Sequence, residues 1–382
     1  MIINEKEKRK TIYCFHIGIF MLTGTSNVLS KLYLSNTTFQ KLDTYLKERT
    51  DNDNFSGAVL IAHKGKILFK QGYGYANRET AEYNTPDTAF RIASITKMFT
   101  AVAILKLQEQ DELRVNNTLN MYIHDYPYGN KITIHHLLSM TSGIPNILSF
   151  VEQTAREKTI ILEQLIRKIK KQSLEFEPGT QFNYSNSNYI LLAYIIEKIS
   201  GMSYAEYLMR YIFEPLKMYN SYVDDGTSKS SQAIGYSFDL NQILPAKPYD
   251  MSWSFGAGNI RSTVNDLYLF DKALRNGILL TNDSCKLMQS AIIKTDWVKI
   301  GWGENQNESA YGYGLIITPT TQDREATIGH SGGIGVFSSE ITHFSTSDIT
   351  LIILINCDSF RSSAKAFLTR FETIIFGKYY TI

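Results

Sequence analysis

Cysteine is scarce in this chain of 382 residues, and its three cysteines lie far apart in the sequence. Cys14, Cys285 and Cys357 lack the short spacing of a metal-binding cluster, and the seven histidines are scattered as well. The sequence therefore predicts neither a metal nor another cofactor. Cys285 and Cys357 could form a disulfide in an oxidising compartment, but two separate buried thiols are the favoured interpretation.

An excess of charge of one sign is also missing. The chain carries 39 basic and 37 acidic residues, a formal net charge of +2, which gives no reason to expect a nucleic-acid partner. The hydrophobic fraction of 43% and the charged fraction of 20% are typical of a globular protein with a substantial core. Beyond the N-terminus, no segment of the sequence is long and apolar enough to cross a bilayer.

The N-terminus departs from this balance, because the basic stretch MIINEKEKRK precedes the apolar stretch TIYCFHIGIFMLTG. This pattern is typical of an export signal, although His16 interrupts the apolar run and no A-x-A cleavage site follows. Residues 1–30 are therefore predicted to be a signal peptide or an N-terminal membrane anchor, with a plain N-terminal helix or tail as the alternative. The mature protein is expected in the periplasm or outside the cell.

Hydrophobic patterns divide the rest of the chain into three parts. GAVLIAHKGKILFKQGYGYA has two β-rich runs around a Lys64-Gly65 turn and predicts a hairpin, whereas helical patterns dominate residues 116–250. Strand patterns such as ITLIILIN return in the last third, before a final helix. Strands from both ends of the chain predict one sheet within a domain of residues 38–376. One lobe would comprise 38–115 and 251–376, the helical segment would form the second, and a ligand would bind at their junction.

The stretch FRIASITKMFTAVAILKLQ, which follows Ala89, places Ser94 and Lys97 on one face at the start of an apolar helix. A buried lysine is costly unless it is used or paired. Out of water its pKa falls, so that it can accept a proton from the neighbouring serine hydroxyl. A serine at a helix start also lies beside free backbone N–H groups, which can stabilise a developing oxyanion.

Two further groups of polar residues follow in contexts that suit a reaction centre. FNYSNSNY supplies Tyr184 and Asn186 in a polar loop before an apolar helix. A tyrosine near a lysine can share or lose its proton, and an asparagine amide can bind a substrate carbonyl. IGHSGGIGVFSS supplies His330, Ser331 and Gly332 at a strand edge, where a substrate backbone can lie close to the glycines.

Each short motif occurs a second time, so that none is specific by itself. The second copies are Ser362 and Lys365 in SSAK, the YGN of 128–130, and the HKG of 63–65. SSAK opens a helix with polar flanks, where its lysine can reach water, and HKG lies in the predicted hairpin turn. The first copies instead occur in order at a helix start, an inter-helix loop and a strand edge. This order is a stronger signal than any single match.

The series of motifs resembles the serine β-lactamase-related family, which includes class C β-lactamases, low-molecular-weight DD-peptidases, esterases and D-aminopeptidases. Further segments match in order, among them HHLLSMTSGIPN, IFEPLKM, GAGNIRSTVNDLYLF, YGYGL and GHSGG, and the resemblance spans roughly residues 40–375. It implies the α+β fold of β-lactamases and transpeptidases. In that fold an antiparallel sheet is flanked by N- and C-terminal helices and carries an inserted, mainly helical lobe.

The resemblance also implies a role for each motif residue. Ser94 would attack a carbonyl and form an acyl-enzyme, while Lys97 and Tyr184 would manage the protons, with the choice of base left open. Backbone N–H groups of Ser94 and Gly333 would form the oxyanion hole. Asn186 and the serine of the His-Ser-Gly motif would orient the substrate amide.

His330 would replace the triad lysine of β-lactamases, with Ser331 and Gly332 completing the triad as substrate-binding residues. An imidazole of ordinary pKa is only partly charged at neutral pH. The sequence therefore predicts that capture of an anionic substrate weakens between pH 6 and 8.

Two positions depart from the family pattern. Met140 in SMTSG stands where a histidine is frequent, which predicts altered packing but not lost chemistry. Asn259 in GAGNIRST stands where a second glycine is common, and a change in the adjacent loop is expected.

The leading hypothesis is an exported serine hydrolase that acts on D-amino-acid peptides, like a DD-carboxypeptidase, or on related amides and esters. Its partner would be a peptidoglycan-type peptide or a small acyl substrate. A class C-like β-lactamase and a small-acyl esterase are alternatives. A catalytically silent module that binds peptidoglycan or a protein partner is a further alternative, but such a module need not keep a buried lysine.

Overall fold

The computed structural model describes residues 34–52, 55–227, 229, 231–239, 242–290, 292–294, 309–321, 324–358 and 363–377. The predicted export segment of residues 1–30, Cys14 within it, and Ser362 of the second Ser-x-x-Lys motif lie outside these residues.

The strands and helices of the described residues are numbered in chain order. The strands are β1 (Gly57–His63), β2 (Lys66–Tyr73), β3 (Tyr75–Asn77), β4 (Glu82–Tyr83), β5 (Phe90–Arg91), β6 (Tyr222–Val223), β7 (Tyr236–Asp239), β8 (Gln242–Pro245), β9 (Ile260–Ser262), β10 (Ile293–Lys294), β11 (Ala310–Tyr311), β12 (Ile316–Thr318), β13 (Thr327–Ile334), β14 (Phe337–Phe344), β15 (Ile349–Ile355) and β16 (Cys357–Asp358). The helices are α1 (Asn36–Asp51), α2 (Thr96–Glu109), α3 (Ile134–Leu138), α4 (Ile147–Phe150), α5 (Leu162–Lys170), α6 (Asn186–Ser200), α7 (Tyr204–Leu208), α8 (Val264–Arg275), α9 (Asn282–Gln289) and α10 (Ala364–Phe376).

The main sheet has eight strands in the order β10-β11-β12-β13-β14-β15-β1-β2, and every neighbouring pair is antiparallel. Strand β1 pairs with β15, from the last third of the chain, through the register from Gly57↔Ile355 to His63↔Ile349, and β2 pairs with β1 at the edge of the sheet. Smaller sheets join β3 with β4, β5 and β6 with β9, and β7 with β8 and β16. One sheet is therefore built from both ends of the chain.

Packing on both faces explains the composition of the central strands. Every residue of β15, ITLIILI, is buried, because helices cover the sheet on either side. On one face the buried residues of β1 and β15 pack against α1 and α10, and on the other they pack against the core around α2 and α8. The predicted α+β fold, an antiparallel sheet with N- and C-terminal helices against it, is confirmed.

The predicted hairpin joins β1 to β2. Lys64 and Gly65 both have positive φ, 49° and 75°, as expected for a tight two-residue turn between antiparallel strands. Glycine suits the second position because it adopts positive φ without a steric cost. Of the two cysteines in the described residues, Cys285 is buried in α9, as predicted, whereas Cys357 in β16 is only half-buried.

Helix α2 is the buried centre of the molecule, with eleven of its fourteen residues buried. It packs against α6, α7 and α9, and the short 3₁₀ turn Ala93–Ile95 that precedes it packs against β13 and β14. The start of α2 therefore lies between the edge of the sheet and the helices α3 to α7 of the middle segment. Among the described residues, no helix is both long and apolar enough to cross a membrane.

Candidate active site

Ser94 lies in the 3₁₀ turn Ala93–Ile95, directly before α2. Its side chain is half-buried, whereas both neighbours in the chain are buried. Ala93 has a φ of +47°, a left-handed conformation that costs a non-glycine residue energy and is concentrated at functional sites. The backbone thus turns sharply at this position and presents the Ser94 hydroxyl at the surface of an otherwise buried segment.

Lys97, the second residue of α2, is fully buried, and its Nζ lies within hydrogen-bond distance of three uncharged oxygens. Its Nζ lies 3.0 Å from Ser94 Oγ, 2.8 Å from Asn186 Oδ1 and 2.7 Å from Ala257 O. Burial lowers the pKa of Lys97 well below its ordinary value of 10.5. The amine is therefore poised to lose its charge and to accept a proton from Ser94.

Asn186 begins α6, and the same amide group serves both Lys97 and a second asparagine. Its Oδ1 accepts from the amine, while its backbone N and Nδ2 both donate to Asn146 Oδ1 at 3.2 Å. A primary amide carries two N–H bonds, so Nδ2 keeps one donor for a substrate oxygen. Asn146, in SGIPN, fixes the orientation of this amide.

Tyr184 is buried next to Lys97 and Ser94. The Lys97 Nζ lies 4.9 Å from the centre of the Tyr184 ring. Burial raises the pKa of the Tyr184 phenol, and a hydrogen bond from the Ser94 hydroxyl lowers it by less. The phenol therefore keeps its proton at neutral pH and can pass it on. Of the two candidate bases, the lysine amine is favoured, because burial lowers the pKa of Lys97 and raises that of Tyr184.

His330 is almost completely buried, with 1% of its surface exposed. Its Nδ1 lies 2.6 Å from Ser331 O, so Nδ1 must carry the hydrogen and donate, because two acceptors repel at this distance. Nε2 is then the acceptor, and the Tyr311 hydroxyl donates to it at 3.3 Å. Burial, and secondarily the nearby Lys97, lower the pKa of His330 to about 3. The expectation that this imidazole is partly charged near neutral pH is therefore wrong.

The edge of β13 lies beside the serine. Strand β12 pairs only with Thr327–Gly329, so residues 330–334 have no ladder partner on that side among the described residues. A Cβ added at Gly332 would lie 2.5 Å from Ile92 O and 3.0 Å from Ser94 N, which only glycine avoids. At Gly333 an added Cβ would meet nothing within 4 Å, so this part of the edge is open.

Ser331 points to the other face of the sheet. It lies opposite Glu340 of β14, and both line a small cavity together with residues of α10. The structure therefore gathers Ser94, Tyr184 and Asn186 around the amine of Lys97, and it places Gly332 against the turn that carries the serine. It does not turn the imidazole of His330 or the hydroxyl of Ser331 toward the amine.

Tyr311 was not predicted as a site residue, although it lies in the YGYGL segment. Its ring is perpendicular to that of Tyr184, with centroids 6.2 Å apart, and perpendicular to His330 at 6.0 Å. The Tyr311 hydroxyl also interacts with Tyr189 on α6. Its contact with the site depends on the pairing of β11 with β12, which the sequence does not reveal.

The two departures from the family pattern support the site. The sulfur of Met140 accepts from Ser185 N and Asn188 Nδ2, both at 3.4 Å, so it holds the loop that carries Tyr184. Asn259 Oδ1 accepts from Gly256 N at 2.9 Å and closes the loop that presents Ala257 O to the lysine. In the residues that the structure describes, no three His, Cys, Asp or Glu side chains could together hold a metal ion.

The buried amine predicts a pH dependence of stability. Between the lowered pKa of folded Lys97 and its ordinary value of 10.5, the unfolded chain binds more protons, so the free energy of unfolding rises with pH. Lys97→Met should flatten this slope, measured as melting temperature between pH 7 and 9.5. Lys106→Met is the control, because Lys106 lies on the same helix and donates to Leu279 O outside the site. An unchanged slope in Lys97→Met would contradict the burial argument.

Comparison with known proteins agrees with this geometry. Residues 42–373 match the family described as Beta-lactamase. A penicillin-binding protein of Bacillus subtilis strain 168 is 29% identical over 357 residues, covering 89% of this chain and 77% of the relative. The structure of an octameric penicillin-binding protein homologue from Pyrococcus abyssi has a TM-score of 0.72 and 31% identity, covering 83% of this chain and 73% of that one.

A further solved structure shows the same fold. The D-amino acid amidase from Ochrobactrum anthropi SV3 superposes with a TM-score of 0.76, covering 90% of this chain and 98% of that chain. At 22% identity this likeness shows the fold alone. The match over nearly all of the described residues, together with the contacts of Ser94 and Lys97, shows that the chain belongs to the Beta-lactamase family and is a serine hydrolase of that superfamily.

Proposed function

We propose that the protein is an exported acyl hydrolase that cleaves amide or ester bonds adjoining a D-amino-acid residue, through an acyl-enzyme on Ser94. The observation that carries this proposal is the hydrogen bond of 3.0 Å between Ser94 Oγ and the buried amine of Lys97. A serine beside an uncharged amine is an activated nucleophile. A structural role alone would not require a lysine at this buried position, where its desolvation is costly.

Acylation begins when Ser94 Oγ forms a bond to the substrate carbonyl carbon and its proton moves to Lys97 Nζ. The carbonyl oxygen becomes an oxyanion, which the backbone N–H groups of Ser94 and Gly333 would bind, as the resemblance to the family implies. Gly332 allows the strand edge to approach the serine closely enough for this. The second amide hydrogen of Asn186 can donate a hydrogen bond to another carbonyl oxygen of the substrate.

Collapse of the tetrahedral intermediate breaks the carbon–nitrogen or carbon–oxygen bond of the leaving group. The leaving amine or alcohol takes a proton from the phenol of Tyr184, which regains one from Lys97. Because burial raises the pKa of Tyr184, the phenol is a proton carrier and not a standing base. A water molecule that gives a proton to Lys97 then attacks the acyl carbonyl. The ester bond to Ser94 breaks, Ser94 Oγ regains the proton, and the acid product is released.

The substrate class and the location rest on different support. Two relatives are described as a penicillin-binding protein and a homologue of one, and the resemblance of the motifs extends to DD-peptidases and D-aminopeptidases. A peptidoglycan-type peptide or a related small amide or ester is therefore the proposed substrate. Export to the periplasm or beyond, through a signal peptide or with a membrane anchor in residues 1–30, is supported by the basic and apolar pattern of the N-terminus.

Acylation of one residue tests the proposal. Incubation with benzylpenicillin or with an activated ester of N-acetyl-D-alanine should add one acyl group, located on Ser94 by peptide mapping and mass spectrometry. Ser94→Ala should give no adduct, and Lys97→Met should lower the acylation rate by about 10²- to 10⁴-fold, the usual contribution of a general base. Lys106→Met should acylate like the unaltered protein. If neither reagent labels Ser94, the chain is a binding module and the proposal fails.

The contact between Tyr311 and His330 predicts a second effect on rate. Tyr311→Phe removes the hydroxyl that donates to His330 Nε2 and loosens the packing of this ring against Tyr184. We expect kcat for the activated ester to fall by about 2- to 10-fold with little change in KM, because this factor corresponds to the free energy of one neutral hydrogen bond.

Tyr313→Phe is the matched control for this variant. Tyr313 is buried, and its hydroxyl contacts His135 Nδ1 at 2.6 Å, a tyrosine–histidine pair outside the site. Both variants should lose similar stability, but only Tyr311→Phe should change kcat and its pH profile. Equal effects of the two on kcat would reduce Tyr311 to a general packing role.

A further inference from the structure

The strand edge at Gly333 is open, and His330 lies three residues before it on β13. We place the leaving group of a substrate at this end of the cleft. A carboxylate on this part of a substrate would give up water on entering the cleft. It must then find a cation or several hydrogen-bond donors, because an unpaired charge out of water is costly. The charges near this edge therefore decide whether the site accepts an anionic leaving group.

His330 offers no such cation. With its Nδ1 hydrogen given to Ser331 O at 2.6 Å and its Nε2 filled by the Tyr311 hydroxyl at 3.3 Å, both nitrogens have partners inside the protein. The ring is enclosed between Tyr184 and Tyr311, at 6.3 and 6.0 Å between centroids. Neither nitrogen is therefore left to face a substrate at the open edge, and the buried ring cannot pair with a carboxylate there.

Arg91 and Arg261 lie over the ring of Phe337 at the β13–β14 turn, and both form ion pairs with Asp224. Two further cations lie on the opposite face of the strand. Arg324 and Lys365 line a cavity of about 50 Å³ with Ser331 and Glu340. Arg324 Nη2 forms an ion pair of 2.5 Å with Glu372, which is buried, and Lys365 interacts electrostatically with Glu340. The cavity has room for only a few water molecules, and its two cations face two carboxyl groups. It is poorly suited to a carboxylate attached to a bound peptide.

From this charge distribution we infer a substrate class, which rests on the proposed function: the enzyme prefers substrates whose leaving group is uncharged, such as peptide amides, primary amides and esters, over those that carry a free carboxylate there. The reaction is unchanged. The Ser94 oxygen replaces the leaving nitrogen or oxygen on the carbonyl carbon, the leaving group departs with one proton, and water then releases the acid. A free carboxylate would gain no ion pair from His330 at the strand edge.

Two matched pairs of substrates test this inference with the full chain. The first is an N-acyl-D-alanyl-D-alanine and its C-terminal amide, whose leaving groups differ only in charge. The second is benzylpenicillin and its methyl ester, in which the carboxyl group adjoins the lactam nitrogen. The measured quantities are kcat/KM for the dipeptides and the second-order acylation rate of Ser94 for the penicillins, at pH 7. We expect the uncharged member of each pair to react about 10- to 100-fold faster, the range set by one charge-assisted hydrogen bond.

His330→Lys tests the cause, because it places a cation at the strand edge. It should narrow or reverse the preference, because the charged member should gain in rate relative to the uncharged one, whatever the variant does to the rates of both. If this variant does not fold, the comparison within the unaltered protein still decides the inference. Faster reaction of the charged members in the unaltered protein would overturn it.

Lys365→Met separates the two possible sources of carboxylate binding. We expect it to leave both ratios unchanged. A selective loss of the charged substrates in this variant would assign carboxylate recognition to the cavity behind Ser331 and would also overturn the inference. Failure of every substrate to acylate Ser94 is a different result, because it refutes the proposed function itself.

Discussion

The buried amine of Lys97 is held by three uncharged oxygens from three different parts of the chain. They are the hydroxyl of the turn before α2, the side chain of the first residue of α6, and the carbonyl of Ala257 in the loop before β9. An ammonium ion in this position would lack a counterion, so burial favours the neutral amine. The hydrogen bonds that join the turn before α2, the start of α6 and the loop before β9 are thus the same ones that prepare a base for Ser94. Stability is sacrificed here for reactivity, as is common at active sites.

The state of His330 follows from packing in a similar way. The carbonyl of its own neighbour, Ser331, fixes one ring nitrogen, and Tyr311 occupies the other. The imidazole therefore acts as a neutral spacer between two strands and the ring of Tyr184. A lysine at this position would place a charge at the end of the cleft, whereas the neutral imidazole of His330 only fills space there. Charge at the leaving-group end of the site is therefore governed by β11 as much as by β13.

Much of this site could be predicted from the sequence, for a physical reason. A lysine inside an apolar helix is conspicuous because its burial is costly in desolvation free energy. Ser94, three residues earlier, supplies a chemical role for this buried lysine. Tyr184, Asn186 and Gly332 could be found because their motifs follow in a fixed order on suitable elements. The architecture of the sheet was predictable because strand patterns occur at both ends of the chain.

The charge of His330 could not be predicted in the same way. It depends on Tyr311, nineteen residues away, and on how β11, β12 and β13 pair, and a pattern along one strand carries no information about such pairing. The same is true of Asn146, which orients the Asn186 amide across forty residues. Supporting contacts of this kind are set by tertiary structure, whereas the reacting groups are set by local chemistry.

Met140 shows how these supporting contacts can change while the reacting groups stay. Its backbone is left-handed, with a φ of +61°. Its carbonyl accepts a hydrogen bond from Asn183 N at 3.0 Å, and its sulfur accepts one from Ser185 N at 3.4 Å. A thioether is a weak acceptor, so the sulfur constrains the Tyr184 loop less than an imidazole nitrogen would. The edge-to-face packing of Tyr311 on Tyr184 then becomes a larger part of what positions the phenol. In this chain the position of the Tyr184 phenol therefore depends more on aromatic packing. For that reason we expect Tyr311, which lies outside the three catalytic motifs, to affect the reaction.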